Sequence, residues 1–245
     1  MTTRQPMFNV PASVLAAIGA VLIVHGVRAL LPADLDVTLL LTLAFIPGRY
    51  VASAPALPGG EISAVTSLFT YMLVHGDLTH LLVNSIWMLA FGSAVAKRIG
   101  GLRFWGFSIL CGLAGAVAHL AFHFGELVPV VGASAAISGQ MAGALRFMAS
   151  AGTGVLAFGG GAAVPLASVW DTLRNPQILL FMAVWAGLNA IFGLGYLEFQ
   201  GGGGGIAWEA HIGGFLCGLL IFGLFDPQNR RLDPQDGPPE ITRIH

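Results

Sequence analysis

Residues 102–124 read LRFWGFSILCGLAGAVAHLAFHF, and this stretch decides the fold class. After Arg103 it contains no Asp, Glu, Lys or Arg. An α-helix needs about 20 mostly apolar residues to cross the hydrocarbon core of a bilayer. A stretch this long and this apolar therefore predicts a membrane-spanning helix.

The composition of the whole chain agrees with that interpretation. Of the 245 residues, 56% are hydrophobic and only 9% are charged, whereas a soluble domain carries about a quarter charged residues. The formal net charge is −1 and the basic residues form no stripe, so no nucleic-acid partner is predicted. Cys111 and Cys217 lie in apolar stretches, and we expect small core residues rather than a disulfide or a zinc site.

Six segments have the length and apolarity of a span, which predicts an all-α polytopic membrane protein. They are 11–31, 78–96, 102–124, 133–150, 177–196 and 206–225. The first could instead be a signal peptide, but it shows no clear small-residue cleavage site, which favours a retained span. Residues 35–46 are also apolar, but Pro47 ends them after about three turns, so we expect an interfacial or re-entrant segment.

The charged residues give the orientation of the predicted spans. Only two basic residues, Arg28 and Arg49, fall on one side, and by the positive-inside rule the other side is cytoplasmic. Both termini are therefore expected in the cytoplasm. The cytoplasmic basic residues are Arg4, Lys97, Arg98, Arg103, Arg146, Arg174, Arg230, Arg231 and Arg243. We expect most of these charges to lie in solvated loops.

The predicted organisation is a short N-terminus at 1–10, a membrane domain at 11–225 and a disordered tail at 226–245. A loop rich in glycine and alanine covers 151–165, and five glycines stand at 201–205. Such a run is the most flexible backbone available. The 198–206 loop is therefore either a plain linker or a lid.

Polar side chains lie near the beginnings of the second, fourth and sixth spans, where they are costly and therefore functional candidates. His80 and Asn84 are four residues apart on one helix face. Ser134 follows Gly132 at a helix start, where unpaired N–H groups can stabilise an oxyanion. His211 lies near the beginning of the sixth span. Taken singly, each has a structural alternative, such as a helix cap for the serine.

The three spans run in the same direction, so these four polar residues are expected in the outer half of the bilayer at a similar depth. Small residues also recur every four positions in two of these spans, which lets the helices approach closely enough for a Ser–His hydrogen bond. These residues are Ala135, Gly139 and Gly143 in the fourth span, and Ala210, Gly214 and Gly218 in the sixth. The coincidence favours a catalytic interpretation.

The third span contains a second histidine pair, His119 and His123, four residues apart. Such a pair can bind a metal. The sequence has no HExxH motif and no carboxylate pair within the spans, so neither a metal nor a cofactor is predicted. We expect His123 to hold water near the outer end of its span.

Together these motifs resemble the rhomboid family of intramembrane serine proteases. The matching strings are His75-x4-His80-x3-Asn84, Gly132-Ala133-Ser134 and Ala210-His211-x2-Gly214-x3-Gly218. Their order and the six spans match as well, over about residues 10–225. The resemblance implies a rhomboid-like six-helix bundle that cleaves a peptide bond in or near the transmembrane helix of a single-pass or polytopic membrane protein.

The resemblance also implies residue roles. Ser134 would be the nucleophile and His211 the general base, while His80, Asn84 and the Ser134 backbone N–H would hold the oxyanion. His75, Gly132 and Gly214 would be supporting positions. Glu209 is two residues from His211 and so points to another helix face, which predicts a Ser–His dyad rather than a triad.

The chain departs from the usual family pattern at several positions. The residue after the serine is Ala135 instead of glycine, and Ser138 stands where many members have a tyrosine that stacks on the histidine. Thr66-Ser67 replaces a Trp-Arg pair in the first outer loop, and Ala96 replaces a glutamate. Because the serine, histidine and oxyanion positions are present, we expect activity, and the departures leave room for altered specificity or low turnover.

Two alternatives stay open at this point. One is a catalytically inactive rhomboid relative that binds membrane clients, although such relatives typically lack the serine or the histidine. The other is a small transporter or channel, which would need midplane charges or broken helices that the sequence does not show.

The expected location is the inner (plasma) membrane of a bacterium, with the active site opening to the extracytoplasmic side. The resemblance further implies the fifth span as the substrate gate.

Overall fold

The computed structural model of the protein describes residues 9–52, 56–151, 164–193 and 207–227. Several predicted features lie wholly or partly outside these residues: the N-terminal 1–8, most of the 151–165 loop, the end of the fifth span, the 198–206 loop with its glycines, and the tail from 228 onward. Within the described ranges the chain is mostly helical. The β-structure found there is a single antiparallel bridge between Phe45 and Val130.

Ten α-helices are described, and a helix lies within each segment predicted as a span or as the interfacial segment. A π-helical turn, Met88–Gly92, joins the fourth and fifth helices into one continuous rod. The helices are α1 Ala12–Ala29, α2 Ala33–Leu43, α3 Gly60–Thr70, α4 Leu78–Trp87, α5 Ser93–Ile99, α6 Gly101–Phe122, α7 Ser134–Ala151, α8 Val169–Arg174, α9 Pro176–Gly193 and α10 Trp208–Phe225. The interfacial prediction at 35–46 corresponds to α2, which packs against α3.

Four described helical stretches are long and apolar enough to cross a membrane: Ala12–Ala29, Leu78–Ile99, Gly101–Phe122 and Trp208–Phe225. A shorter apolar stretch covers Pro176–Ile191 of α9. Large apolar side chains such as Ile86, Leu180 and Leu220 are exposed on these helices, as expected where lipid replaces water. The protein is therefore an integral membrane protein, and the count of six spans stays a prediction.

Helix α7 lies at the centre of the bundle. Its residues from 135 to 148 are buried by the surrounding helices, so its surface meets protein. A helix in this position does not need an apolar exterior, which explains how it accommodates Gln140 and Arg146. Gln140 donates to Ser108 Oγ of α6 at 2.9 Å.

Helices α7 and α10 approach each other through glycine, as the small-residue pattern predicts. A methyl group in place of the hydrogen at Gly214 would lie 2.0 Å from the carbonyl oxygen of Ala135. At Gly218 a methyl would lie 2.2 Å from the carbonyl oxygen of Gly139. Only glycine permits backbones this close, so this packing fixes the separation of the two helices that carry Ser134 and His211.

At the end of the bundle away from Ser134 and His211, Arg98 and Arg146 are buried. This differs from the expectation that most charged residues lie in solvated loops. Arg98 pairs with Asp226 at 2.7 Å, and both side chains are at most 1% exposed. Arg146 donates to the carbonyl oxygens of Ala167 and Leu219. These contacts tie the ends of α5, α7 and α10 together, since buried charges are tolerated only when they are paired or hydrogen-bonded.

Candidate active site

Ser134 and His211 are in direct contact. Ser134 is the first residue of α7 and His211 lies in the first turn of α10. His211 Nε2 lies 2.7 Å from Ser134 Oγ, within the range of a nucleophile–base hydrogen bond. Both residues are partly buried. The sequence-based expectation that two distant segments meet here agrees with the geometry.

A third residue, Asn189 of α9, contacts the other ring nitrogen of the imidazole. Asn189 Oδ1 lies 2.5 Å from His211 Nδ1, and its Nδ2 donates to the carbonyl oxygen of Trp185 at 2.8 Å. Because that carbonyl can only accept, the amide orientation is fixed and Oδ1 must face the histidine. His211 Nδ1 therefore donates, and the Nε2 lone pair points at the Ser134 hydroxyl.

The other two polar residues of the motif lie against the backbone that leads into Ser134. Gly132 has φ +112°, and a methyl there would lie 2.6 Å from His80 Nε2 and 3.5 Å from Asn84 Nδ2. Glycine is therefore required both for the backbone conformation and for the space. Among the described residues, the buried Asn84 Nδ2 has no hydrogen-bond partner. A buried donor without a partner thus lies beside Gly132, two residues before the serine.

Comparison with known families gives a match to the Rhomboid domain over residues 63–227, which is more than half of the chain. The chain belongs to the rhomboid family. A comparison with curated proteins gives no match. The matched range of this rhomboid includes His80, Asn84, Ser134, Asn189 and His211.

His75 packs against the backbone that leads into Ser134 in this rhomboid. It is fully buried, and the Ala133 N–H donates to its Nε2 over a long 3.5 Å. Its ring centroid lies 5.0 Å from that of His80 in an edge-on arrangement. Burial, followed by the charge of His80, lowers the pKa of His75 to about 3, so His75 is neutral at ordinary pH. Arg28 anchors this segment by donating to the His75 carbonyl oxygen at 2.7 Å.

The structure shows how the residues at two departures from the family pattern are accommodated. The Ala135 methyl packs against Gly115 of α6. A methyl group at Gly115 would lie 2.4 Å from the Ala135 Cβ and would clash with it. The glycine on α6 thus makes room for the extra methyl beside the serine. Ser138 is buried and offers no ring to stack on His211, and here Asn189 holds the imidazole through a hydrogen bond.

The sequence-based prediction of a Ser–His dyad did not consider Asn189, which contacts His211. Glu209 does not bind His211, as predicted, and instead contacts His123 at 2.7 Å. Asn189 could have been singled out from sequence, because it is one of few polar residues in the apolar fifth span and such residues are functional candidates. Its partner, however, cannot be read from spacing along the chain.

Proposed function

We propose that this rhomboid is an intramembrane serine endopeptidase. The observation that carries the proposal is the 2.7 Å contact between His211 Nε2 and Ser134 Oγ, with the histidine lone pair directed at the hydroxyl. His211 takes the Ser134 proton while Oγ attacks the scissile carbonyl, and it then returns the proton to the leaving amine. Water, activated by the same histidine, hydrolyses the acyl-enzyme and regenerates the serine.

Asn189 is a positioning residue in this mechanism. It holds His211 in the tautomer that leaves Nε2 free to accept the serine proton. It also accepts a hydrogen bond from the imidazolium that forms in the transition state, and such a charge-assisted bond is stronger than the neutral one. Ser138 cannot restrain the ring by stacking, so the hydrogen bond from α9 takes over this role.

The tetrahedral oxyanion is held by Asn84 Nδ2, His80 and the backbone N–H of Ser134. The support for Asn84 is that its Nδ2 is buried and unpaired among the described residues, since leaving such a donor without a partner costs about 1–3 kcal/mol. A donor that gains its partner only when charge develops stabilises the transition state specifically.

We propose that the protein crosses the membrane six times, with both termini in the cytoplasm of a bacterial cell. The inner (plasma) membrane would hold the protein, with the active site opening to the extracytoplasmic side. The substrates are transmembrane proteins, single-pass or polytopic, cut in or near their membrane helix. Family resemblance supports α9 as the gate through which they enter. A substrate helix must unwind locally, because its carbonyls are otherwise engaged in hydrogen bonds.

A fluorophosphonate probe tests the nucleophile in detergent. We expect the wild-type protein to be labelled and Ser134→Ala to be unlabelled. Equal labelling of the two proteins would refute the assignment. Cleavage of a transmembrane substrate with a destabilised helix then separates a protease from an inactive client-binding relative. That alternative is less well supported, because both Ser134 and His211 are present and in contact.

A further inference from the structure

A second cluster of polar side chains joins the end of α6 to the start of α10. It consists of His119, His123 and Glu209, and one ligand atom from each lies within 4.8 Å of the others. The His119 and Glu209 side chains are 1% and 7% exposed, and that of His123 is 25% exposed. The proposed protease mechanism uses none of the three.

Two buried atoms of this cluster face each other without hydrogen-bond partners. His119 Nδ1 lies 3.8 Å from Glu209 Oε2, and neither atom has a partner among the described residues. His119 Nε2 makes a long 3.4 Å contact to the carbonyl oxygen of Val128, which can only accept. With the proton on Nε2, the Nδ1 lone pair points at a carboxylate oxygen, and two buried acceptors without a donor are costly.

The second histidine is oriented as metal-ligating histidines usually are. His123 Nδ1 donates to Glu126 Oε2 at 2.8 Å, and its Nε2 lies 2.7 Å from Glu209 Oε1. Histidine ligands characteristically donate their second ring nitrogen to a carboxylate or to a backbone carbonyl. His123 has the carboxylate partner and His119 has the carbonyl partner.

We propose that His119 Nδ1, His123 Nε2 and the Glu209 carboxylate bind a divalent first-row transition metal ion, with Zn²⁺ as the best fit. Two imidazoles and one carboxylate are a common zinc donor set, whereas Ca²⁺ and Mg²⁺ prefer oxygen ligands alone. Bond lengths of about 2.0–2.1 Å place tetrahedral ligand atoms about 3.3 Å apart. His123 Nε2 lies 2.7 Å from Glu209 Oε1 and His119 Nδ1 lies 3.8 Å from Glu209 Oε2, so one nitrogen moves away from its carboxylate oxygen and the other moves towards it when the ion binds. The ion displaces the proton on His123 Nε2 to solvent and gives both unpaired atoms a partner.

The position of this site gives the ion a structural role. It clamps the last turn of α6 to the first turn of α10, two residues before His211. The half-exposed Glu126 supports the site from the rim and is not a ligand. Water would fill the fourth coordination position.

Zinc binding to the intact protein tests the proposal without reference to proteolysis. The full chain, purified in detergent with a tag that lacks histidine and stripped with EDTA, is titrated with ZnCl₂ by calorimetry. We expect one saturable site per chain. Glu209→Gln and His123→Gln should weaken binding more than 100-fold, since each removes a ligand. Glu126→Gln should weaken it by about 10–100-fold, because it removes a partner of a ligand. The control His25→Gln, a histidine of α1 outside the cluster, should bind as wild type does.

The absence of saturable binding to the wild-type protein would overturn the proposal, and so would equal affinity of wild type and Glu209→Gln. Size-exclusion chromatography identifies any variant that fails to fold. His123 is the most exposed of the three proposed ligands, and Glu126 is more exposed still, so their variants keep the test decisive if Glu209→Gln aggregates. Co²⁺ gives an independent readout, because its visible absorption bands report ligation by nitrogen and oxygen and should disappear in His123→Gln.

Discussion

Replacing Asn189 by leucine should slow the proposed hydrolysis and leave the fold intact. Leucine keeps the branching of the side chain but removes the oxygen that accepts from His211 Nδ1 at 2.5 Å. The residue is only partly buried, so the change creates no large cavity. The imidazole then loses both its fixed tautomer and the acceptor for its charged form.

The size of the effect follows from the two protonation states of His211. A neutral hydrogen bond contributes about 0.5–1.5 kcal/mol and one to a charged group about 1.5–3 kcal/mol. The difference of about 1–1.5 kcal/mol acts only in the transition state and corresponds to about a tenfold lower kcat. Free rotation of the unstacked ring adds a further loss, so we expect kcat to fall by about 10–100-fold with little change in KM.

The assay is cleavage of a fluorogenic transmembrane substrate in proteoliposomes, together with the rate of fluorophosphonate labelling. Asn189→Asp is the matched control, because it keeps an acceptor oxygen at the same place and should stay within about tenfold of wild type. Unchanged kcat in a folded Asn189→Leu protein would refute the reasoning. Equal losses in both variants would assign Asn189 a purely structural role.

Three further substitutions test the surrounding structure. Asn84→Ala should lower kcat by about 10²–10³-fold. It should not lower Tm, because the unpaired Nδ2 contributes no hydrogen bond to the native fold. A lower Tm with normal kcat would contradict the role of Asn84 as an oxyanion donor. Gly214→Ala should destabilise the fold by about 1–3 kcal/mol or more and abolish fluorophosphonate labelling, because the new methyl meets the Ala135 carbonyl oxygen at 2.0 Å. If the variant unfolds and is labelled as the wild-type protein is, α7 and α10 can separate freely. Arg98→Met should cost about 3–5 kcal/mol in unfolding experiments, because it removes a cation from the buried Asp226 carboxylate; a loss below about 1 kcal/mol would mean that other contacts of Asp226 suffice.

The helices were largely predictable because the membrane imposes a simple requirement on sequence. Long apolar runs must be helical, and the predicted bounds agree with the described helices to within a few residues. The helices Gly60–Thr70 and Val169–Arg174 and the π-helical turn Met88–Gly92 were not predicted, since packing against neighbours decides such elements. Likewise, no sequence pattern indicates that Arg98 and Arg146 fold back into buried networks instead of solvated loops.

The candidate site was predictable to the extent that polar residues stand out in apolar spans. Ser134 and His211 were identified in this way. The small residues spaced four apart in their two helices correctly indicated that α7 and α10 approach closely. Asn189 was missed because its role depends on how α9 lies beside α10. Glu209 was considered only as a partner of His211, its neighbour in sequence, whereas its actual partner, His123, comes from another helix.

Asn189 also links the proposed chemistry to the proposed route of substrate entry. Helix α9 meets α10 through Asn189 and through the stacking of Trp185 on Phe215, with ring centroids 4.9 Å apart. If α9 swings outward to admit a substrate, His211 loses its acceptor, and hydrolysis has to wait until α9 returns. Trp185→Ala loosens this contact and leaves Asn189 in the chain, so we expect slower labelling even by a small fluorophosphonate that needs no gate. A gate without this coupling predicts the opposite result, namely labelling at the wild-type rate with altered cleavage of membrane substrates only.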